Sequence, residues 1–210
     1  MRKIIMMMAM VLSMNVMAQS AAENLEKERA RLNYKAIKKE VKQLKKEGWH
    51  VVPGGPSMEI QLEESYLYER AKDNNMDKLY YIGLGQSTGK TFNTAHLGAK
   101  ETARVVLAGQ VGSLVSGLTK VMVSNKQLSQ SEAESIDDVI SKNKMIYMSR
   151  LGRVDDIFVV SREKENGNIE VLVRMVASAK SINDLSKTVL MEELKKRGVM
   201  IDEQIEKLLK

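Results

Sequence analysis

The segment that most narrows the fold lies near the C-terminus. Val154 to Arg162 and Ile169 to Ala177 are two apolar, β-branched-rich runs separated by Asn166-Gly167-Asn168. An Asn-Gly turn between two such runs predicts an antiparallel hairpin, because glycine accepts the positive φ of a tight turn. Ile169, Val171, Val173 and Met175 share one face of the second run, and Glu170 and Arg174 share the other. That alternation belongs to a strand with one buried face. A lone hairpin is marginal in water, so other elements must cover it.

The other elements follow from spacing. Leu79 to Gly85 reads as a further strand, and the compact part of the chain starts near Lys78. A long helix is predicted from about Thr91 toward Ser124. Leu107, Val111, Leu114, Leu118 and Val121 form its apolar seam, and Ala95, Ala99 and Ala103 continue that side. Gly98, Gly109, Gly112 and Gly117 fall inside it. Each glycine costs about 1 kcal/mol against alanine in a helix. They imply either close approach of a neighbouring backbone or a break near Gly109. Ser129 with Glu132 is a capping box for a helix through about Ser141. A last helix is expected from Ile182 to Arg197, closed by Gly198, with a short helical tail over Asp202 to Lys210.

Ahead of these, residues 20–47 read as a charged helix with the apolar stripe Tyr34, Ile37, Val41 and Leu44. Lys35, Lys38, Lys39, Lys42, Lys45 and Lys46 decorate its other faces, and Gly48 ends it. Trp49 to Pro56 is turn-rich and holds both prolines. A second helix follows from about Ser57 to Lys72, with Ile60, Leu62, Tyr66 and Leu67 as its expected buried side, and Asp73-Asn74-Asn75 breaks it. The fold class is therefore α+β: a small, mainly antiparallel sheet covered by helices (residues 73–210), with a helical N-terminal extension (residues 19–72).

Residues 1–18 read as a signal peptide. Arg2 and Lys3 precede an uncharged apolar core, Ile4 to Leu12, and Val16-Met17-Ala18 supplies a small side chain just before the cut and a modest one two residues earlier. The core is shorter than the roughly 20 residues a bilayer span needs. Its removal leaves 31 basic against 27 acidic residues, lowering the net charge from +6 to about +4. That balance argues against a nucleic-acid binder. The chain has no cysteine, which excludes disulfides, thiolate chemistry and lipidation at the cleavage site, where Gln19 stands. No later apolar run is expected to span a membrane. The expected location is the periplasm or the cell exterior of a bacterium, with peripheral membrane contact open.

Several motifs tempt and then fail on spacing. Gly83-Leu84-Gly85-Gln86-Ser87-Thr88-Gly89-Lys90-Thr91 invites a phosphate loop, but the required first glycine falls on Leu84. The expectation is a flexible strand-to-helix turn, with Thr88 or Thr91 as the cap and room for an anion beside Lys90. The two histidines, His50 and His96, form no ligand pair with metal spacing. Asp155 and Asp156 are adjacent on a strand and point to opposite faces. Glu63 and Glu64 read as a solvated face. Tyr66, Tyr68, Tyr80 and Tyr81 with Trp49 could stack on sugars, but aromatics are only 4% of the chain, so the core needs some of them. No catalytic residue, cofactor or metal is expected.

The strand ending in Gly-x-Gly, the Ala-rich run Ala95 to Arg104, and the Asn-Gly turn before Ile169-Glu170-Val171-Leu172-Val173-Arg174 together resemble a known family. It is the twenty-kilodalton bacterial lipoprotein antigen family, with the related N-terminal domain of the flagellar T-ring protein. The resemblance covers residues 79–178. It implies helices on one face of an antiparallel sheet, an envelope location and no catalysis. The missing lipidation cysteine and the segment 20–72 depart from it.

The expected function is non-enzymatic: an exported envelope protein acting through protein–protein binding or surface assembly, with Tyr34, Ile37, Val41 and Leu44 docking a partner or a second copy. The alternative is a binding module for an anionic or glycan envelope ligand, read by Lys35, Lys38, Lys39 and Lys42 with Trp49.

Overall fold

The computed structural model describes residues 33–199. The signal-peptide reading, the extension before Asn33 and the tail over Asp202 to Lys210 lie outside these residues. The described residues form, in order, α1 (Tyr34–Lys46), β1 (His50–Val51), α2 (Met58–Arg70), β2 (Tyr80–Gly89), α3 (Phe92–Ser124), α4 (Gln130–Lys142), α5 (Lys144–Ser149), β3 (Val154–Glu163), β4 (Ile169–Ser178) and α6 (Ala179–Lys196). The strands make one antiparallel sheet in the order β1-β3-β4-β2. This is the α+β architecture expected from the hairpin and the helical spacings.

The sheet is covered on both faces. Val171, Val173 and Met175 of β4 join a core with Ala95, Ala99, Ala103, Leu107 and the inner side of α6. Leu172, between them, faces a second core made of Phe158 and Val160 of β3 with Ile37, Val41, Trp49, Met58, Leu62 and Leu67. The resemblance, which covers residues 79–178, implies helices on one face of the sheet. Here α1 and α2 supply the second layer, so the extension packs on the sheet.

Local chemistry sets the element ends. The Asn33 side chain caps α1 by accepting from the Ala36 N–H at 3.2 Å. Gly48, at φ +84°, closes it: its N–H donates to the Lys45 carbonyl and the Trp49 N–H to the Leu44 carbonyl. That pair of bonds is a Schellman motif, and it turns Trp49 into the core. Gly198 ends α6 the same way, with bonds to Lys195 and Leu194. The capping box of α4 is present, with Ser129 accepting from the Glu132 N–H and Glu132 from the Ser129 N–H.

In α2 the inward positions are Met58, Gln61, Leu62, Ser65 and Leu67. Ile60, expected inside, is 57% exposed. Gln61 takes the inner place because its amide satisfies two backbone groups. It donates to the Pro56 carbonyl at 2.9 Å and accepts from the Val159 N–H at 2.7 Å, beyond the end of β1.

The stretch expected to turn at Gly83 to Thr91 is instead strand as far as Gly89, paired with β4 at all ten positions. Its glycines are there for clearance. A Cβ on Gly83 would lie 2.2 Å from the Ala103 carbonyl oxygen, on Gly85 1.9 Å from that of Ala99, and on Gly89 2.8 Å from the Ala95 nitrogen. Strand glycines and helix alanines thus let two backbones nearly touch. Thr91 caps α3, as one of the two expected caps.

Helix α3 runs unbroken for 33 residues. Its buried stripe is Leu107, Val111, Val115, Thr119 and Met122; Leu114 and Leu118 are half-buried and Val121 is 43% exposed. The four-residue step of Ala95, Ala99 and Ala103 simply continues. In a helix of 3.6 residues per turn it drifts by about 40° per step, carrying the contact from the sheet toward α4, α5 and α6. By length and composition α3 could cross a membrane, which the sequence expectation did not anticipate. In this fold its alanine face packs on β2.

Candidate functional site

The residues expected to bind a partner divide into two groups. Ile37 and Val41 are 4% and 3% exposed, and Trp49 is 5% exposed. All three belong to the core between α1, α2 and β3. They are therefore not a free docking face, which corrects the expectation for the stripe. Leu44 is half-buried against the same core. Tyr34 stays 48% exposed, its hydroxyl 3.4 Å from Glu63 on α2. The stripe is amphipathic because it faces α2, a choice that spacing alone does not make.

The lysines remain outside. Lys35, Lys38, Lys39, Lys42, Lys45 and Lys46 are all exposed. At about 100° per residue they fall on one arc of about 120°. Lys45 pairs with Glu59 at 3.2 Å. Lys38, Lys42, Lys45 and Lys46 line an open groove of about 540 Å³ with Val41 at its floor and Glu59 on its rim. Burying the apolar side of α1 thus turns a cationic side outward, on a rigid element.

Glu40 of α1 and Glu170 of the sheet face inward, away from that arc. Glu40 accepts from the Tyr66 hydroxyl and from Arg174, which also bonds Ser65 and lies over the Tyr66 and Phe158 rings. Burial, then the Glu40 hydrogen bond, push the Tyr66 hydroxyl above its ordinary pKa. Glu170 is buried and takes Gln86 at 2.8 Å, Arg162 at 2.7 Å and Lys164 at 3.3 Å. Burial alone would raise its carboxyl; those three partners outweigh it and hold the group below the usual carboxylate range. Arg162 also covers the Trp49 ring at 4.4 Å and donates to the Glu47 carbonyl. This network locks α1 to the sheet.

Two other concavities were not foreseen. A cavity of about 290 Å³ lies where β3 is irregular between Asp156 and Phe158, lined by Pro56, Gln61, Glu64, Phe92, His96 and Asp156 among others. Asp156 accepts from Lys100 at 3.0 Å and sits 3.6 Å from His96 Nε2. Asp155 pairs with Arg153 instead, so the two aspartates diverge as expected. A cleft of about 920 Å³ lies between the Asp73 turn and the start of α6, with Lys72, Lys78, Lys180 and Lys187 set among Asp73, Asp77 and Asp184. Lys180 is paired with Asp184 at 2.6 Å. His50 is remote from His96, with its ring beside Ser161 and the Gly48 carbonyl. Among the described residues no three acidic, histidine or cysteine side chains cluster as a metal site.

No family model, curated protein or solved structure matches the chain.

Proposed function

We propose that this is an exported, non-enzymatic binding protein that docks the lysine face of α1 on an anionic partner in the bacterial cell envelope. One observation carries the reading: six exposed lysines share one arc of a helix whose opposite side is fixed in the core. An open, exposed row of ammonium groups suits an extended anionic surface or polymer better than a small ligand enclosed in a pocket. Each lysine near an anionic surface contributes about 1 kcal/mol, so the row suffices for reversible attachment. Ile37 and Val41 of α1 are buried and Leu44 packs against the same core, so attachment is electrostatic and the helix does not insert. The signal-peptide reading of residues 1–18 supports export, and the resemblance to the lipoprotein antigen family agrees with the location.

The test is binding to vesicles with and without anionic phospholipid, and to a sulfated polysaccharide, across a salt series. Binding is expected to be selective for the anionic probes and to weaken steeply with salt. The triple variant Lys38→Glu, Lys39→Glu, Lys42→Glu should lose binding with an unchanged thermal melt. Equal binding to neutral vesicles, or binding indifferent to salt, would refute the proposal.

A further inference from the structure

The lysine row of α1 is narrow, and acidic groups border it. Tyr34 meets Glu63, and Lys45 meets Glu59. Helix α2 therefore runs antiparallel beside α1, with those two carboxylates about one turn apart along the seam. Both glutamates are part-exposed. Packed helix axes lie about 8–10 Å apart, so this border stands within roughly one Debye length of the row at physiological salt. On the other side of the row come Gln43 and Glu47, both exposed and joined by a hydrogen bond of 2.8 Å. Along the helix, by contrast, the positive charge is continuous. Lys35 to Lys46 spans about 16 Å, and Lys38, Lys42 and Lys45 stand about 6 Å and then about 4.5 Å apart along the axis. The groove that these three line with Lys46 has the buried Val41 at its floor.

We infer that the anionic partner is a linear glycan bearing carboxylate, sulfate or phosphate groups, laid lengthwise along the lysine row; this rests on the lysine-face reading above. A single chain is narrow enough to follow the row between its acidic borders and to settle into the groove. A flat bilayer that reaches the lysines also faces Glu59, Glu63 and Glu47, and like charges oppose it. Residue type points the same way. Helix α1 has lysines and no arginine. A lysine is a point charge on a flexible stem, without the fixed fork that grips one planar group, so it suits single charges repeated along a chain. The row has no stacking platform for the bases of a single-stranded nucleic acid: Tyr34 sits on the α2 seam and Trp49 is buried. An acidic protein would seek apolar anchors at the centre of its interface, where lysine is depleted. Here the centre is lysine, and Val41 is 3% exposed.

The test measures binding of the purified protein, at physiological salt, to four probes: a heparin oligosaccharide, polyglutamate and single-stranded DNA of equal charge, and vesicles of phosphatidylcholine with phosphatidylglycerol. The oligosaccharide should bind tightest for the charge it presents. Lys42→Gln should weaken it about fivefold, the share of one lysine beside an anionic partner. The border variant Glu59→Gln with Glu63→Gln should keep its thermal melt and raise vesicle binding more than oligosaccharide binding. Vesicles that bind as tightly as the oligosaccharide, or a border variant that shifts both probes equally, would overturn the inference and leave the lysine-face reading standing. Tighter binding to DNA or to polyglutamate would overturn the choice of a glycan in the same way. Failure to bind any anionic probe would overturn both.

Discussion

Gly85 lies so close to Ala99 that a methyl group on the glycine would sit 1.9 Å from the Ala99 carbonyl oxygen. Backbone cannot yield as a side-chain tip can. Gly85→Ala should therefore cost about 3 kcal/mol or more, read from urea denaturation. Gly117→Ala on the same helix meets nothing within 4 Å and should gain about 1 kcal/mol. Equal effects from the two substitutions would mean that β2 and α3 are not in contact.

Ile37→Ala should cost about 2–5 kcal/mol, because it opens a cavity between α1, α2 and β3. Ile37→Asp should prevent folding by burying an unpaired charge. Lys39→Glu, on the exposed face of the same helix, should change stability by less than about 0.5 kcal/mol. A folded Ile37→Asp protein would return the stripe to the surface.

Trp49 is the chain's one tryptophan and sits buried under Arg162. Its fluorescence should be blue-shifted and poorly quenched by acrylamide. On denaturation it should change together with the far-ultraviolet dichroism, in one transition. An earlier fluorescence change would show that α1 and α2 detach before the sheet unfolds.

Glu170 gives the fold an acid-sensitive point. Its folded pKa lies below the unfolded value, so its contribution is fully present above the unfolded carboxylate pKa of about 4.3. It is lost as the pH falls through the lower folded value. Glu170→Gln should be less stable than the natural protein at neutral pH, by about 1.5–3 kcal/mol. The difference should shrink on acidification, as measured by denaturation from pH 7 to pH 3. A difference that stays constant across that range would remove the carboxylate from the account.

What could be read in the sequence was local. The β3–β4 hairpin, the Ser129 capping box and the Gly48 and Gly198 helix ends each follow from a few adjacent residues whose chemistry admits little else. What could not be read depended on distant neighbours. Gly83, Gly85 and Gly89 look like loop glycines until Ala95, Ala99 and Ala103 are set against them. Gln61 looks like a surface residue until the Val159 N–H needs an acceptor. The stripe of α1 is equally amphipathic whether its partner is another protein or α2, so Ile37, Val41 and Trp49 could not be assigned to the core from spacing. The lysines needed no such knowledge, since charge without a buried partner goes to solvent wherever the helix docks. The drift of the α3 stripe from Leu114 to Val115 shows the same limit: period alone does not say which way a helix leans against a sheet.

The strand order carries a consequence for the sequence of events in making the protein. β1 and β2 do not pair with each other; His50 waits for Ser161, and Tyr80 waits for Ser178. A chain emerging N-terminus first, from a ribosome or through a pore, has no strand pair of this sheet among its described residues until β3 and β4 appear. Non-local pairing of this kind slows folding. Such a chain stays threadable for most of its length and closes late, around its own last strands.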